Sequence, residues 1–380
     1  MRAKLLDIIN RLYEIQLAKL ELEALGAKEV SFDLSSLEFN FQFDADLEFL
    51  KNRVSWLESI NGEPTWIRHV QEANRKILRK YADLWYSHFV YPLKARFRPP
   101  LARSMINIVC PRDKGKILDP FTGSGTTNIE AYLLGLDCVG IDINPFFCDM
   151  TDAKIEFYKR DIGNEETAQL FWRKYNRNCL NYEPDVALEF HPILKIIYTY
   201  ANYLHFRDPA KAFFKRFSEI KSMQEEFFRN KDKYRFGSSK TIVTTAEEIP
   251  YEDGYFDGVV TSPPYSNALD YLKENRAAPE FWKITPEIKK KYEATRKREK
   301  WYLMMRSAIA EISRVTKSQG KICFVIGNQR EKGEVIPLVD WCIEEFKKND
   351  CKLLHNIVQL ISSTGTWNIL HDHVLIFQKS

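Results

Sequence analysis

The 380-residue chain lacks the sequence features of several common functional classes. Its seven cysteines are scattered, with no C-x-x-C pair and no histidine at zinc-ligand spacing beside them, so a reducing compartment and no structural metal are expected. No G-K-[ST] sequence is present to hold a triphosphate, which argues against an ATPase. The sequence also shows no internal repeat and no low-complexity segment, which is consistent with an ordinary globular protein.

A long uninterrupted hydrophobic run is also missing from the N-terminal sequence. Asp7, Glu14 and Lys19 lie among the apolar residues of the first 26 positions, so neither a signal peptide nor a membrane span is expected there. We therefore expect a cytoplasmic protein with no membrane partner. Apolar residues make up 44% of the chain, which is sufficient for a large core.

The net charge of +4 is small, but the charge is unevenly distributed. Residues 1–60 lean acidic, whereas residues 283–306 contain nine Lys or Arg against three Glu. Such a basic block attracts polyanions. It also contains Glu/Lys pairs at i,i+4 spacing, so a solvated helix face is the alternative interpretation.

Helical spacing of apolar residues dominates the first part of the chain. It predicts helices in DIINRLYEIQLAKLELEALG, ADLEFLKNRVSWLESING and TWIRHVQEANRKILRKYADLWYS. The segment KEVSFDLSSLEFNFQFD alternates apolar and polar residues over part of its length and predicts a short hairpin. We assign residues 1–90 to a mainly helical N-terminal region.

Strands alternate with helices from Lys116 onwards. The predicted strands are KILD, DCVGID, KTIVTT, FDGVVT and GKICFVIGN, followed by a terminal hairpin formed by KLLHNIVQLIS and HDHVLIFQK. This order predicts an α/β fold with a mostly parallel sheet, over residues 91–148 and 238–380. Residues 149–237 show helical spacing and are predicted to be a helical insertion on the ligand side of the sheet. A helical cap without substrate contact is the alternative.

The segment ILDPFTGSGTTNIEA places glycines at a strand-to-helix turn. The backbone N–H groups of such a helix N-terminus form a site for a carboxylate or phosphate, although a glycine pattern alone is shared by many nucleotide-binding folds. The next strand ends in GIDINP, where Asp142 is positioned to accept hydrogen bonds from ribose hydroxyls. The two features together predict a nucleoside ligand.

The segment TSPPY follows the strand FDGVV directly. Two prolines cannot continue a sheet ladder, because proline has no backbone N–H and a fixed φ. Ser262 and Pro263 therefore form a rigid, extended pair of acceptors at the carboxyl edge of the sheet, where open α/β sheets bind ligands.

With these two motifs the chain resembles the S-adenosylmethionine-dependent DNA methyltransferases that modify exocyclic amino groups, at cytosine N4 or adenine N6. The resemblance rests on DPFTGSGTT and TSPPY, with weaker support from YPLKARFRPPLARSMI and EISRVTKSQGKICFVIGN. It implies a Rossmann-like methyltransferase sheet with a terminal antiparallel hairpin, S-adenosylmethionine as the cofactor and no metal. The implied partners are double-stranded DNA and, where one exists, a cognate restriction endonuclease. The oligomeric state is not predicted.

The resemblance also implies roles for individual residues. The methionine end of the cofactor would be surrounded by Asp119, Phe121, Gly123, Ser124, Gly125 and Thr126. Asp142 would hold the ribose. The third strand of this family usually ends in an Asp that contacts the adenine amino group, but Thr245 occupies that position here, and Glu247 is the candidate substitute.

The catalytic residues implied by the resemblance are Ser262, Pro263, Pro264 and Tyr265. An exocyclic amine is a poor nucleophile because its lone pair is delocalised into the ring. Ser262 and the carbonyls around Pro263 would accept hydrogen bonds from its N–H groups and draw the nitrogen toward tetrahedral character. Tyr265 would stack on a base flipped out of its helix. Trp301 is expected to be a buried core residue and not a base-stacking one.

Ser as the first residue of the motif favours cytosine N4 over adenine N6 by analogy. The expected function is a site-specific DNA (cytosine-N4) methyltransferase. The alternatives are an adenine-N6 enzyme, an RNA base methyltransferase on the same fold, and a catalytically silent specificity subunit. In this context the insertion is the candidate target-recognition region, and the expected phosphate contacts are Lys289, Lys290, Lys291, Arg296, Lys297 and Arg298.

Overall fold

The structure is a computed structural model of the chain. It describes residues 1–7, 9, 11–78, 84–93, 96–177, 190–203, 206–265, 285–295, 297–331, 334–360 and 369–380.

The N-terminal region combines three helices with an antiparallel sheet of five strands. The strands are β1 (Arg2–Leu5), β2 (Lys28–Asp33), β3 (Glu38–Gln42), β4 (Leu57–Ile60) and β5 (Glu63–Pro64), in the order β2-β3-β1-β4-β5. The helices are α1 (Leu12–Ala24), α2 (Leu47–Arg53) and α3 (Trp66–Leu78). The expected hairpin is confirmed as β2 and β3, which pair antiparallel. The other three strands were not predicted from the sequence.

The segment ADLEFLKNRVSWLESING was wrongly predicted to be a single helix. It is helical only over α2, and its second half forms β4. β4 pairs antiparallel with β1, where Ala3 lies opposite Ile60. The apolar residues Trp56, Leu57 and Ile60 fit helical spacing equally well, so the pairing with a distant strand decides the local structure.

The larger sheet has eight strands and carries the pocket described below. They are β6 (Lys116–Asp119), β7 (Asp137–Asp142), β8 (Ser239–Val243), β9 (Phe256–Thr261), β10 (Thr316–Glu331), β11 (Glu334–Ile336), β12 (Cys351–Leu360) and β13 (Ile369–Lys379). The main path runs β12-β13-β10-β9-β6-β7-β8, and β11 pairs with β10. Strands β10, β9, β6, β7 and β8 are parallel, whereas β13 is antiparallel to both β10 and β12. The expected α/β sheet with a terminal antiparallel hairpin is confirmed.

Helices cover both faces of this sheet. Those after the N-terminal region are α4 (Pro99–Val109), α5 (Thr126–Leu133), α6 (Pro145–Glu156), α7 (Glu165–Arg177), α8 (Pro192–Tyr203), α9 (Pro209–Arg229), α10 (Pro286–Thr295), α11 (Arg298–Val315) and α12 (Leu338–Lys348). Successive strand residues enter opposite cores, because side chains alternate along a strand. Ile117 and Val260 pack with α4, whereas Leu118 and Val259 pack with α11 and α12.

The described part of the predicted insertion is helical, over α6, α7, α8 and α9. Its core is unusually aromatic; Phe171, for example, stacks on Tyr175 with ring centroids 4.3 Å apart. Residues 178–189 of the insertion lie outside the described residues. The domain boundaries at 90, 148 and 237 stay predictions. No helix in the described part of the chain has both the length and the apolar character needed to cross a membrane.

A buried ionic network ties the N-terminal region to α5. The Glu130 carboxylate is fully buried and accepts hydrogen bonds from Trp85 Nε1 at 2.9 Å and from Arg103 Nη1 at 3.0 Å, and it lies 2.8 Å from His88 Nε2. Arg103 also donates to the backbone carbonyl of Asn52, 2.6 Å away. Buried charges are stable only when paired in this way, so the network fixes α5, the helix that follows the glycine loop.

Candidate active site

A pocket of about 430 Å³ lies at the carboxyl ends of β6, β7, β8 and β9. The strand order reverses between β6 and β9, and such switch points are where open α/β sheets bind ligands. Most of the predicted cofactor residues line this pocket, namely Asp119, Phe121, Gly123, Ser124, Thr126, Asp142 and Glu247. The sheet thus brings together residues that are far apart in the sequence.

The glycine loop adopts a backbone that requires glycine at two positions. Gly123 has φ of 46° and Gly125 has φ of 75°, both in the left-handed region. A Cβ on Gly125 would lie 2.4 Å from Thr151 Oγ1 on α6. Gly125 is also the N-cap residue of α5, directly before Thr126, so the loop leads to the helix N-terminus at the pocket. The backbone N–H groups there can bind an anionic group.

Asp142 lies where the sequence placed it, at the end of β7 and in the pocket wall. Its Oδ2 accepts a hydrogen bond from Gly123 N at 3.1 Å and its Oδ1 accepts one from Asn144 N at 2.9 Å. These bonds fix the carboxylate beside the glycine loop. A fixed carboxylate at this position can accept hydrogen bonds from a pair of hydroxyl groups.

Asp119 lines the pocket and is buried. Burial raises the pKa of this carboxyl to about 6, although hydrogen bonds from Thr261, Thr127 and Phe121 act in the opposite direction. The Thr261 Oγ1 to Asp119 Oδ1 distance is 2.6 Å. Asp119 therefore connects the ends of β6 and β9, the two strands that carry the glycine loop and the SPPY motif.

The loop after β8 supplies a further carboxylate to the pocket. Thr245 and Glu247 both line it, and Thr245 Oγ1 donates to Glu247 Oε2 at 3.0 Å. The carboxylate absent from position 245 is thus present two residues later. This arrangement is consistent with Glu247 as the substitute acceptor.

Ser262 and Pro264 of the SPPY motif line the same pocket as the glycine loop. Pro263 and Tyr265 are not among the described lining residues. The Tyr265 ring is buried, and its hydroxyl donates to Asp372 Oδ1 at 2.5 Å. Trp301 is fully buried, which confirms the expectation for it. The two motifs that carry the resemblance therefore meet at one cavity.

The basic block reaches the pocket through α10 and α11. Lys291 lines the pocket, as does Lys300, which the sequence analysis had not selected. The predicted residues Lys289, Lys290 and Lys297 are exposed. Arg298 forms an ion pair with Glu331 of β10. Arg296 lies outside the described residues.

Sequence reasoning missed a buried lysine behind the glycine loop. Lys154 of α6 is 1% exposed, and its Nζ donates to the backbone carbonyl of Ser124 at 2.8 Å. Burial, and secondarily the charge of Arg96, lowers the pKa of Lys154 to about 7. Arg96 itself lines the pocket and donates to the carbonyls of His88 and Tyr91. A lysine within the apolar segment NPFFCDMTDAKIEFY was the available signal.

The described residues contain no group of three or more His, Cys, Asp or Glu side chains arranged to hold a metal ion.

Residues 86–328 match the model of the UPF0020 family, described as the RMKL-like methyltransferase domain. The match includes the glycine loop, the helical insertion and the SPPY motif, and it extends over more than half of the chain.

Two curated proteins illustrate the range of similar sequences. The type II methyltransferase M.MvaI of Kocuria varians is 27% identical over 248 residues, which are 49% of this chain and 54% of that protein. The tRNA (guanine(10)-N2)-dimethyltransferase of Methanothermobacter thermautotrophicus is 39% identical over 103 residues, or 25% of this chain and 31% of that protein. The chain thus spans about half the length of the first relative and about a third of the second.

Among solved structures, a SAM-dependent methyltransferase from Methanosarcina mazei aligns with a TM-score of 0.36 and 13% identity, covering 70% of this chain and 93% of that one.

Proposed function

The chain belongs to the RMKL-like methyltransferase family, and from that premise we propose that it methylates an exocyclic amino group of a nucleic-acid base, namely cytosine N4 in double-stranded DNA. The observation that carries this proposal is that Ser262 and Pro264 share one pocket with the glycine loop and Asp142. The methyl donor and the amino group that accepts the methyl group would therefore meet in a single cavity.

The fold implies S-adenosylmethionine as the methyl donor, and the pocket residues fit this group. Gly123 and Gly125 carry no side chains that could block the start of α5, so that backbone N–H groups there can receive the methionine carboxylate. Asp142 is held by two backbone N–H groups, in a position to accept hydrogen bonds from ribose hydroxyls. Glu247 is our candidate for the contact to the adenine amino group.

When bound, S-adenosylmethionine supplies a sulfonium methyl group as the electrophile. The role of this chain is to hold the acceptor amine. Ser262 and the carbonyls around Pro263 accept hydrogen bonds from the two amino N–H groups, which favours a tetrahedral nitrogen with a localised lone pair. Because the two prolines restrict the backbone, these acceptors are oriented before the substrate binds. Tyr265 is proposed to contact the face of the flipped base.

Cytosine N4 is proposed because Ser262 is the first residue of the motif, as in the cytosine-N4 enzymes that the chain resembles. The similarity to a tRNA (guanine(10)-N2)-dimethyltransferase is a specific reason to keep an RNA base as the second candidate substrate. A silent specificity subunit is less well supported, since Ser262 and Pro264 both line the cofactor pocket.

Nucleic-acid binding is proposed to involve the basic helices beside the pocket and the aromatic insertion. Lys289 and Lys290 are exposed on the same helix as Lys291, which lines the pocket, so phosphates flanking a flipped base can be neutralised there. Residues 149–237 are proposed to recognise the target sequence. A cognate restriction endonuclease would then be a functional partner.

The proposal is tested by expressing the chain in a host that lacks DNA methylation and sequencing the genomic DNA by a method that reads modified bases directly. We expect N4-methylcytosine in one recurring short motif. The matched control is the Ser262→Ala variant, which should bind S-adenosylmethionine but leave the DNA unmodified. N6-methyladenine would contradict the base assignment, methylated RNA with unmodified DNA would favour the second candidate, and no methylation would contradict the proposed reaction.

A further inference from the structure

Two side chains that do not line the pocket, Trp301 and Asp372, hold the SPPY motif. Trp301 of α11 donates its indole N–H to the backbone carbonyl of Pro264, with Nε1 and O 2.7 Å apart. Asp372 of β13 accepts a hydrogen bond from the Tyr265 hydroxyl, with Oη and Oδ1 2.5 Å apart. The two elements are separate in the sequence, and they contact consecutive residues of the motif.

Both hydrogen bonds are partly buried. Trp301 is 0% exposed, and its ring lies 5.7 Å from that of Trp341. Burial raises the pKa of the Asp372 carboxyl, while the hydrogen bond from Tyr265 acts in the opposite direction. Burying a carboxyl group costs free energy, and an apolar side chain would fill the same space without that cost. The hydrogen bond that Asp372 accepts from Tyr265 offsets part of that cost.

Proline leaves one part of the motif undetermined. The pyrrolidine ring fixes φ at Pro263 and Pro264, but ψ and the peptide plane that follows remain free to rotate. The Trp301 hydrogen bond fixes the carbonyl of that peptide plane. The Asp372 hydrogen bond then fixes the side chain of the next residue, Tyr265.

We propose that Asp372 and Trp301 are positioning residues for methyl transfer, which fix the orientation of the acceptor carbonyls and of the Tyr265 ring. This inference rests on the proposed function of the motif. A small misplacement of reacting groups lowers the rate of a positioned reaction by up to about a hundredfold. The two residues should therefore affect turnover and not cofactor binding.

The test is a double-mutant cycle on Asp372→Ala and Tyr265→Phe, with turnover measured at saturating cofactor and DNA and the Kd for S-adenosylmethionine measured by calorimetry. Each single variant should lower kcat on the order of tenfold. The double variant should lose no more activity than either single variant, because both substitutions remove the same hydrogen bond. Asp372→Asn keeps an acceptor oxygen and should restore most of the activity. Trp301→Phe should behave like Asp372→Ala.

His373→Ala is the matched control, since His373 follows Asp372 and its side chain points to the other face of β13. It should leave kcat unchanged. The inference is overturned if Asp372→Ala keeps or exceeds wild-type turnover, or if its reduced activity is matched by an equal rise in Kd for the cofactor. A wild-type chain that methylates no nucleic acid would contradict the proposed function, and this inference with it, whereas an active wild type with additive effects of the two substitutions contradicts the inference alone.

Discussion

Replacing Gly125 by alanine should weaken the binding of S-adenosylmethionine at least tenfold. An L-residue in the left-handed region costs about 1–2 kcal/mol, and Gly125 has φ of 75°. The added Cβ would also lie 2.4 Å from Thr151 Oγ1 and 2.8 Å from Thr151 Cβ. Overpacking of this kind costs about 1–3 kcal/mol. The combined strain is about 2–5 kcal/mol.

Thr151 cannot easily relieve this overlap, because its hydroxyl donates to the Phe147 carbonyl at 2.9 Å within α6. The glycine loop would have to move instead, away from the geometry that the cofactor needs. Each 1.4 kcal/mol of free energy needed to restore that geometry lowers the affinity for S-adenosylmethionine about tenfold.

The assay is isothermal titration calorimetry with S-adenosylmethionine. Gly254→Ala is the matched control: its φ is 63°, but the nearest atom to an added Cβ is 3.8 Å away, so it carries the backbone strain without the overlap. It should lower the stability slightly and leave the Kd unchanged. Equal Kd values for the Gly125→Ala variant and the wild type would refute the reasoning.

Three further predictions concern stability, pH and salt. Glu130→Ala should lower the free energy of unfolding by about 3–5 kcal/mol in urea titrations, because it leaves the buried Arg103 charge unpaired; a decrease below about 1 kcal/mol would contradict this. The folded chain binds the Asp119 proton more tightly than the unfolded chain does, since burial raises its pKa from 3.8 to about 6. The resulting stability is complete below pH 3.8 and is lost as the pH rises through about 6, so the Asp119→Asn variant should lack this decrease in thermal unfolding scans between about pH 4 and 7. Alanine at both Lys289 and Lys290 should reduce the salt slope of DNA binding by about 0.9 for each phosphate that these lysines neutralise, and an unchanged slope would remove them from the interface.

The strands of the large sheet were predictable because the residue patterns that indicate them are local. Buried strands such as KILD and FDGVVT are short apolar runs bounded by turns, and β6 and β9 match them residue for residue. The N-terminal sheet was predictable only as one hairpin. Its other strands are short and pair with partners far away in the chain, so helical spacing gave the wrong result for β4.

The residues of the candidate site likewise fall into two groups, those that the sequence predicted and those that it did not. The glycine loop, Asp142 and Ser262 belong to motifs whose residue types are required by backbone geometry and hydrogen bonding, and all of them line one pocket. Lys154 and Asp372 belong to no motif. Each makes one contact with a motif residue, from a helix or strand that the sequence alone could not bring there.

The sequence by itself determined the order along the chain of the seven strands on the main path of the large sheet, the turn that requires glycine and the rigid SPPY acceptors, because each depends on a few neighbouring residues. Only the tertiary structure decided that Lys291 and Lys300 reach the pocket, that Lys154 supports the glycine loop, and that Trp301 and Asp372 hold the SPPY motif. The physical reason is that these contacts join residues about 30 to more than 100 positions apart, and such contacts form only when the whole core packs.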